Sequence, residues 1–228
     1  MTDLPFQDDR TELPFHDRRD AGERLAARLL QRAYRNPLIV GLPRGGVPVA
    51  ARIALALKAP LEVLIVRKLG VPGHEEFAMG ALASGDVSVL DEQLIRRLAI
   101  DAHALQRVID RERGELRRRE ARFRGERPYP SLAGRDVILV DDGIATGSTM
   151  RAALRAVRKL GAERCILAVP VAPADSLASL RSEADETLCL ATPEPFNAVG
   201  QWYRRFDQTE DAEVRACLAE QAYPETQH

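Results

Sequence analysis

Cysteine and aromatic side chains are scarce: of 228 residues three are cysteines, and Phe, Trp and Tyr together make up 5%. Cys165, Cys189 and Cys217 stand far apart, odd in number and outside any Cys-x-x-Cys pair. That argues against a disulfide framework and a zinc site and makes the cytoplasm the expected compartment. Neither sign of charge predominates, because 33 basic residues face 34 acidic ones for a net charge of −1. No general attraction to nucleic acid or to an anionic membrane follows. Apolar runs long enough to span a bilayer are missing, and the polar, acidic residues 1–10 lack the apolar stretch of a signal peptide. There is no Gly-x-Ser-x-Gly elbow for a serine hydrolase and no basic recognition helix for DNA. The length fits one domain over residues 1–228 with a substantial core.

What is present is an alternation of apolar runs and helical periods. Residues 1–15 read as a loose leader, 37–192 as a core and 193–228 as a tail. Asp20 is placed to cap a helix reaching about Tyr34, which Asn36-Pro37 breaks. The run Leu38–Leu42 ends in Pro43-Arg44-Gly45-Gly46, and Pro48 suits the first turn of a helix over 47–58. A second strand, Leu61–Val66, leads to Arg67-Lys68-Leu69-Gly70. Residues 71–85, with glycines, a proline and few periodic apolar positions, read as a long loop, followed by a short strand Val87–Leu90. From Asp91 to Arg124 the pattern is helical with a break near Asp101. Its many arginines alternate with Asp110, Glu112, Glu115 and Glu120 at pairing distance, as in a solvated helix or an oligomer contact. A helix over 150–160, a strand Cys165–Val171, a helical turn Ser176–Ser182 and a strand Thr187–Leu190 complete the core. This order predicts an α/β fold, a parallel sheet flanked by helices on both faces.

The most informative stretch is 137–149, Val-Ile-Leu-Val-Asp-Asp-Gly-Ile-Ala-Thr-Gly-Ser-Thr. Four apolar residues form a buried strand, and Asp141 and Asp142 stand at its end. A small-residue turn then opens a helix, whose free N–H groups and dipole favour an anion. Thr146, Ser148 and Thr149 add hydroxyls, and Gly147 lets the backbone approach closely. A phosphate is thus held by neutral donors, leaving the carboxylates for hydroxyl groups or a metal. A P-loop is excluded because Ser148, not Lys, follows Gly147, and a dinucleotide fingerprint because its third glycine is missing.

This stretch resembles the phosphoribosyl-pyrophosphate (PRPP) motif of the type I phosphoribosyltransferases. Pro43-Arg44-Gly45-Gly46 is similar to their pyrophosphate loop, and Arg67 to Gly73 resembles a bacterial subgroup of these transferases without an agreed acceptor. The resemblance spans roughly 37–192 and implies the transferase fold with a small C-terminal hood. It implies that Ala145, Thr146, Gly147, Ser148 and Thr149 hold the 5′-phosphate, and that Asp141 and Asp142 bind the ribose hydroxyls, directly or through Mg²⁺. Arg44, Gly45, Gly46 and Lys68 would bind pyrophosphate. Loop 71–85 corresponds to the family's mobile lid, with His74, Glu75 and Glu76 as candidate proton acceptors.

One departure concerns the acceptor. The hypoxanthine/guanine enzymes carry an aspartate before Thr-Gly, where this chain has Ala145. Trp202, Tyr203 and Phe206 in the tail would form a hood stacking on a planar acceptor. The implied reaction is attack of a nitrogen acceptor on C1 of PRPP with loss of pyrophosphate, in a homodimer that binds neither nucleic acid nor membrane. The alternatives are a PRPP-binding sensor without transferase activity and a hydrolase of PRPP or another sugar phosphate.

Overall fold

The computed structural model describes residues 12–125 and 127–221; residues 1–11 of the expected leader and 222–228 of the expected tail lie outside the described residues. Asp17, not Asp20, caps α1 (Arg18–Leu29), its carboxylate accepting from the Asp20 amide at 3.0 Å. Asp20 instead holds Arg24 one turn on, and the helix stops short of Tyr34. There follow β1 (Leu38–Gly41), α2 (Gly46–Leu57) and β2 (Leu61–Val63).

The expected loop 71–85 is instead part of a sheet. β3 (Val66–Val71) pairs antiparallel with β4 (His74–Ala83), which pairs with β5 (Val87–Leu90). The second predicted strand therefore ends early, and Lys68 lies within β3 rather than at the end of a core strand. The pattern hid this because β4 is exposed from His74 to Ala78 and buried from Ala81 to Ala83, so neither half alternates. The predicted break at Asp101 is present: Asp91 caps α3 (Glu92–Arg97) and Asp101 caps α4 (Ala102–Arg124). β6 (Asp136–Val140), α5 (Ser148–Lys159), β7 (Arg164–Val171), α6 (Ala174–Leu180) and β8 (Glu186–Ala191) match the predicted alternation within two residues of most bounds. An additional helix, α7 (Asp211–Glu220), lies in the tail.

The central sheet is parallel with order β2-β1-β6-β7-β8. Alternate residues of its strands feed two cores. Ile39, Ile138, Val140 and Ile166 point to the side of α1 and α2, while Leu38, Val40, Val137, Leu139 and Leu167 meet Met150, Leu154 and Val157 of α5. Both faces are covered, which is why these strands read as unbroken apolar runs. Phe15, at the end of the expected leader, is fully buried and bridges to Tyr203, joining the N-terminal segment to the tail. Among the described residues no helix is long and apolar enough to cross a membrane.

Candidate active site

β1 and β6 lie side by side with Gly41 opposite Val140, so the loops that follow them leave the sheet at one edge. The strand order also reverses here. From β1 the chain crosses to β2 on one side, and from β6 it crosses to β7 on the other. A crevice outside the carboxyl ends of strands at such a switch point is where open α/β sheets bind ligands.

Sequence brings the two loops into contact through glycine. A Cβ on Gly45 would collide with Asp142 Oδ2, and one on Gly46 would lie 2.7 Å from the Val140 carbonyl oxygen and 2.8 Å from Asp141 Cα. Only glycine lets the Arg44 loop pack so closely on the acidic pair. The peptide bond between Pro43 and Arg44 is cis.

Asp142 is held from two sides. Arg18 Nε donates to Asp142 Oδ2 at 2.8 Å, and the Tyr203 hydroxyl donates to the Asp142 carbonyl at 2.5 Å. Arg18 also donates to the Asp207 carbonyl at 2.6 Å and lies 3.9 Å from the centroid of the Phe206 ring. Asp141 Oδ1 accepts the Asp142 amide at 2.9 Å. Burial raises the carboxyl pKa of Asp141 well above its usual range, with the neighbouring Asp142 charge adding to it. Burial raises that of Asp142 too, against the opposing effect of Arg18. Two carboxylates thus share one guanidinium. No group of three or more potential metal ligands occurs among the described residues. This donor set fits Mg²⁺, which takes one or two carboxylates and fills its shell with water and substrate oxygens.

A carboxyl whose pKa is higher folded than unfolded costs stability as pH rises through that interval, because the folded state then gives up a proton it holds more tightly. Asp141→Asn is therefore expected to raise the melting temperature at neutral pH by about 2–4 °C per kcal/mol relieved, with a smaller gain at pH 4. Thermal melts across that pH range check it, and a lower melting temperature at pH 7 would contradict the direction.

The anion cradle follows directly. Ile144 N donates to the Val171 carbonyl at 2.9 Å and Ser176 Oγ to the Ala145 carbonyl at 2.7 Å, fixing the base of the turn. Gly147 has φ +76°, a left-handed conformation that glycine adopts without strain. The first helical amide to be satisfied is that of Arg151, donating to the Gly147 carbonyl at 2.8 Å. Among the described residues no acceptor pairs with the amides of 145–149, where Ala145, Thr146, Ser148 and Thr149 are exposed and Thr146 Oγ1 sits 3.1 Å from Ser148 Oγ. Converging free donors at a helix N-terminus suit a phosphate.

A family model described as "Phosphoribosyl transferase domain" matches residues 15–201. The chain belongs to the phosphoribosyl transferase family. Proteins named "Putative phosphoribosyl transferase" from two Mycobacterium tuberculosis strains are 50% identical to it over 204 residues, 90% of this chain and 46% of theirs. The chain thus spans about half the length of these curated relatives. The crystal structure of a Thermus thermophilus protein is 43% identical, with a TM-score of 0.84, covering 92% of this chain and 100% of that one. A Neisseria gonorrhoeae protein solved with bound ppGpp shares the fold alone, at 14% identity and TM-score 0.50 over 89% of this chain and 92% of that one.

In this phosphoribosyl transferase domain the other predicted site residues are spread more widely. Lys68 is exposed and its Nζ donates to the Glu76 carbonyl across the hairpin at 3.1 Å. Lys68 and Glu76 share a groove of about 590 Å³ with Ser148 and Thr149, so the hairpin does border the phosphate turn. Glu75 pairs with Arg111 at 3.2 Å and His74 with Glu76 at 3.7 Å. Among the described residues none of these three is hydrogen-bonded or ion-paired to 137–149. Tyr203 is buried between Phe15 and Phe206, at 5.4 and 4.9 Å, and burial keeps its phenol protonated as a donor. Trp202 packs on Phe196, its buried indole N–H lacking a partner among the described residues. Phe206 is exposed beside Arg18. Sequence reasoning missed Arg18, whose only signal was its place beside a helix cap.

Proposed function

We propose that the chain is a phosphoribosyltransferase, using PRPP with Mg²⁺ to transfer the phosphoribosyl group to a nitrogen acceptor and release pyrophosphate. The observation that carries this reading is the union of the acidic pair, the unpaired amides of 145–149 and the Arg44-Gly45-Gly46 loop at one switch point. The turn over 145–149 would take the 5′-phosphate. Asp141 and Asp142 would receive the ribose 2′- and 3′-hydroxyls and favour positive charge at C1, with Arg18 setting the position of Asp142. Arg44 and the amides of Gly45 and Gly46 would take the pyrophosphate, with Lys68 at the rim. Asp141 and Asp142 would hold Mg²⁺, which would supply charge neutralisation for the pyrophosphate.

The acceptor would enter under the tail, where Phe206 offers an exposed ring. His74, Glu75 or Glu76 would reach its proton through movement of the hairpin tip. The reading is of one domain over 1–228 acting as a homodimer. It places the protein in the cytoplasm, in keeping with free, buried Cys165 and Cys189.

The test is pyrophosphate release from PRPP and Mg²⁺, with and without a pool of purine, pyrimidine and pyridine bases. Release that depends on the pool is expected, and splitting the pool names the acceptor. Release without bases would mark a hydrolase. No release with PRPP binding intact would mark a sensor.

A further inference from the structure

A cleft of about 360 Å³ opens beside Arg44, between the 42–44 loop, the segment after β2, Thr149 and α4. Its α4 wall is Arg118, Arg119 and Arg122, and its α7 wall is Asp211. Glu115, Arg118, Arg119 and Arg122 are spaced i, i+3, i+4 and i+7, so they form one stripe of the helix. The adjoining face of α4, with Ile109, Leu116 and Phe123, packs into the core, and Phe123 also lines the cleft.

Charge in this cleft is not matched as it is elsewhere on the helix. Arg111 touches both Glu75 and Glu112, and Arg113 touches both Asp86 and Asp110. In the cleft the ratio reverses. Among the described residues Glu115 alone serves Arg118 and Arg119, at 2.7 and 3.2 Å. Among the same residues Asp211 alone serves Arg122 at 3.1 Å and Arg44 at 3.5 Å. Among the described residues four arginines therefore meet two carboxylates; each Asp211 contact is single, and the one to Arg44 is long, as befits an exchangeable pair.

Asp211 thus occupies, between Arg44 and Arg122, the place where an incoming anion would gain most. It can leave without stranding its charge, because it is the first residue of α7 and the helix dipole favours a carboxylate there. The arginine stripe cannot leave so easily. Phe123 is buried, and the next residue, Arg124, is locked to Glu62 by two hydrogen bonds of 2.8 and 2.9 Å. The backbone that carries the stripe is thus anchored at its C-terminal end.

We propose that Arg119 and Arg122 of α4 complete, with Arg44, the wall that receives the diphosphate part of the ligand, and that Asp211 is a built-in stand-in anion which the diphosphate displaces. This rests on the reading that the Arg44 loop faces pyrophosphate, and extends it to two elements outside the 37–90 and 137–149 segments. It couples the C-terminal helix to the state of the site. With the cleft empty, Asp211 ties α7 to Arg44 and α4; with diphosphate bound, that tie is released.

Calorimetric titration of the full chain with inorganic pyrophosphate and Mg²⁺ tests this, with ribose 5-phosphate as the ligand for the 145–149 turn. Arg119→Gln and Arg122→Gln are each expected to weaken pyrophosphate by about three- to tenfold, the range between an exposed pair and a charge-assisted hydrogen bond. Asp211→Asn is expected to tighten it by about threefold, the scale of losing one exposed ion pair as competitor. Ribose 5-phosphate affinity stays at the wild-type value in all three, and Arg113→Gln on the same helix alters neither ligand. Wild-type pyrophosphate affinity in Arg119→Gln and Arg122→Gln, or weaker binding in Asp211→Asn, would overturn the inference while ribose 5-phosphate binding leaves the proposed function standing. A wild-type chain that binds neither ligand would overturn both.

Discussion

Asp142→Asn is expected to lower pyrophosphate release from PRPP by about 10² or more, the scale of removing one preorganised electrostatic contact to a transition state. Asp142 carries a carboxylate in a site that excludes most water, so its field on a ribose C1 gaining positive charge is weakly screened. Asparagine keeps the shape and still accepts from Arg18, whose Nε lies 2.8 Å from Oδ2. It also leaves the Tyr203 contact intact, because that bond goes to the backbone carbonyl. What disappears is the negative charge, and the Arg18 guanidinium then faces the ribose uncompensated. Stability should not fall, since the folded state already holds the Asp142 carboxyl above its usual pKa. Loss of turnover with ribose 5-phosphate binding and melting temperature intact would assign the effect to chemistry. Unchanged turnover would remove Asp142 from the mechanism.

How much of this was legible in the chain depended on whether the signal was local. Val137 to Val140, the acidic pair and the turn to Thr149 are contiguous, and the strand, turn and helix start lie where those residue types place them. The parallel sheet followed from apolar runs that are buried on both faces. The hairpin was illegible for a physical reason: Phe77 at its outer end is 62% exposed while Leu82 at its inner end is buried, so burial changes along β4 instead of alternating across it. Contacts across the sequence were out of reach. Arg18 and Asp142 are separated by 124 positions, and nothing in a helix-starting arginine announces a carboxylate partner that far on. The arginine stripe of α4 was visible, but not its orientation. Paired Arg and Glu at helical spacing look the same on a solvated face and on a cleft wall, and only Asp211 and Arg44 opposite tell them apart.

The largest loss of stability is expected at that same helix. Arg124→Ala should lower the unfolding free energy by about 3–5 kcal/mol, the cost of leaving one member of a buried ion pair alone. For a chain of this size that is a fall in melting temperature of about 10 °C. The Arg124 and Glu62 side chains are only 4% and 8% exposed, so solvent screening does little to discount the pair. Arg124 also donates to the Arg127 and Pro128 carbonyls, at 3.0 and 2.9 Å, and lies 4.9 Å from the Tyr129 ring centroid. Its removal would therefore orphan a carboxylate and two carbonyls together, and loosen the chain's return from α4 towards β6. Replacing both partners, as Glu62→Leu with Arg124→Leu, should cost less than Arg124→Ala alone, because no charge is then stranded. The pair fixes the register of the last turn of α4 against β2, so Arg124→Ala should also weaken pyrophosphate binding at the Arg119 and Arg122 wall at temperatures where the chain is still folded. Urea melts of the three proteins decide the matter. A single variant as stable as wild type would mean that α4 is held by its apolar face alone, and that the arginine wall is positioned by Leu116 and Phe123 rather than by this anchor.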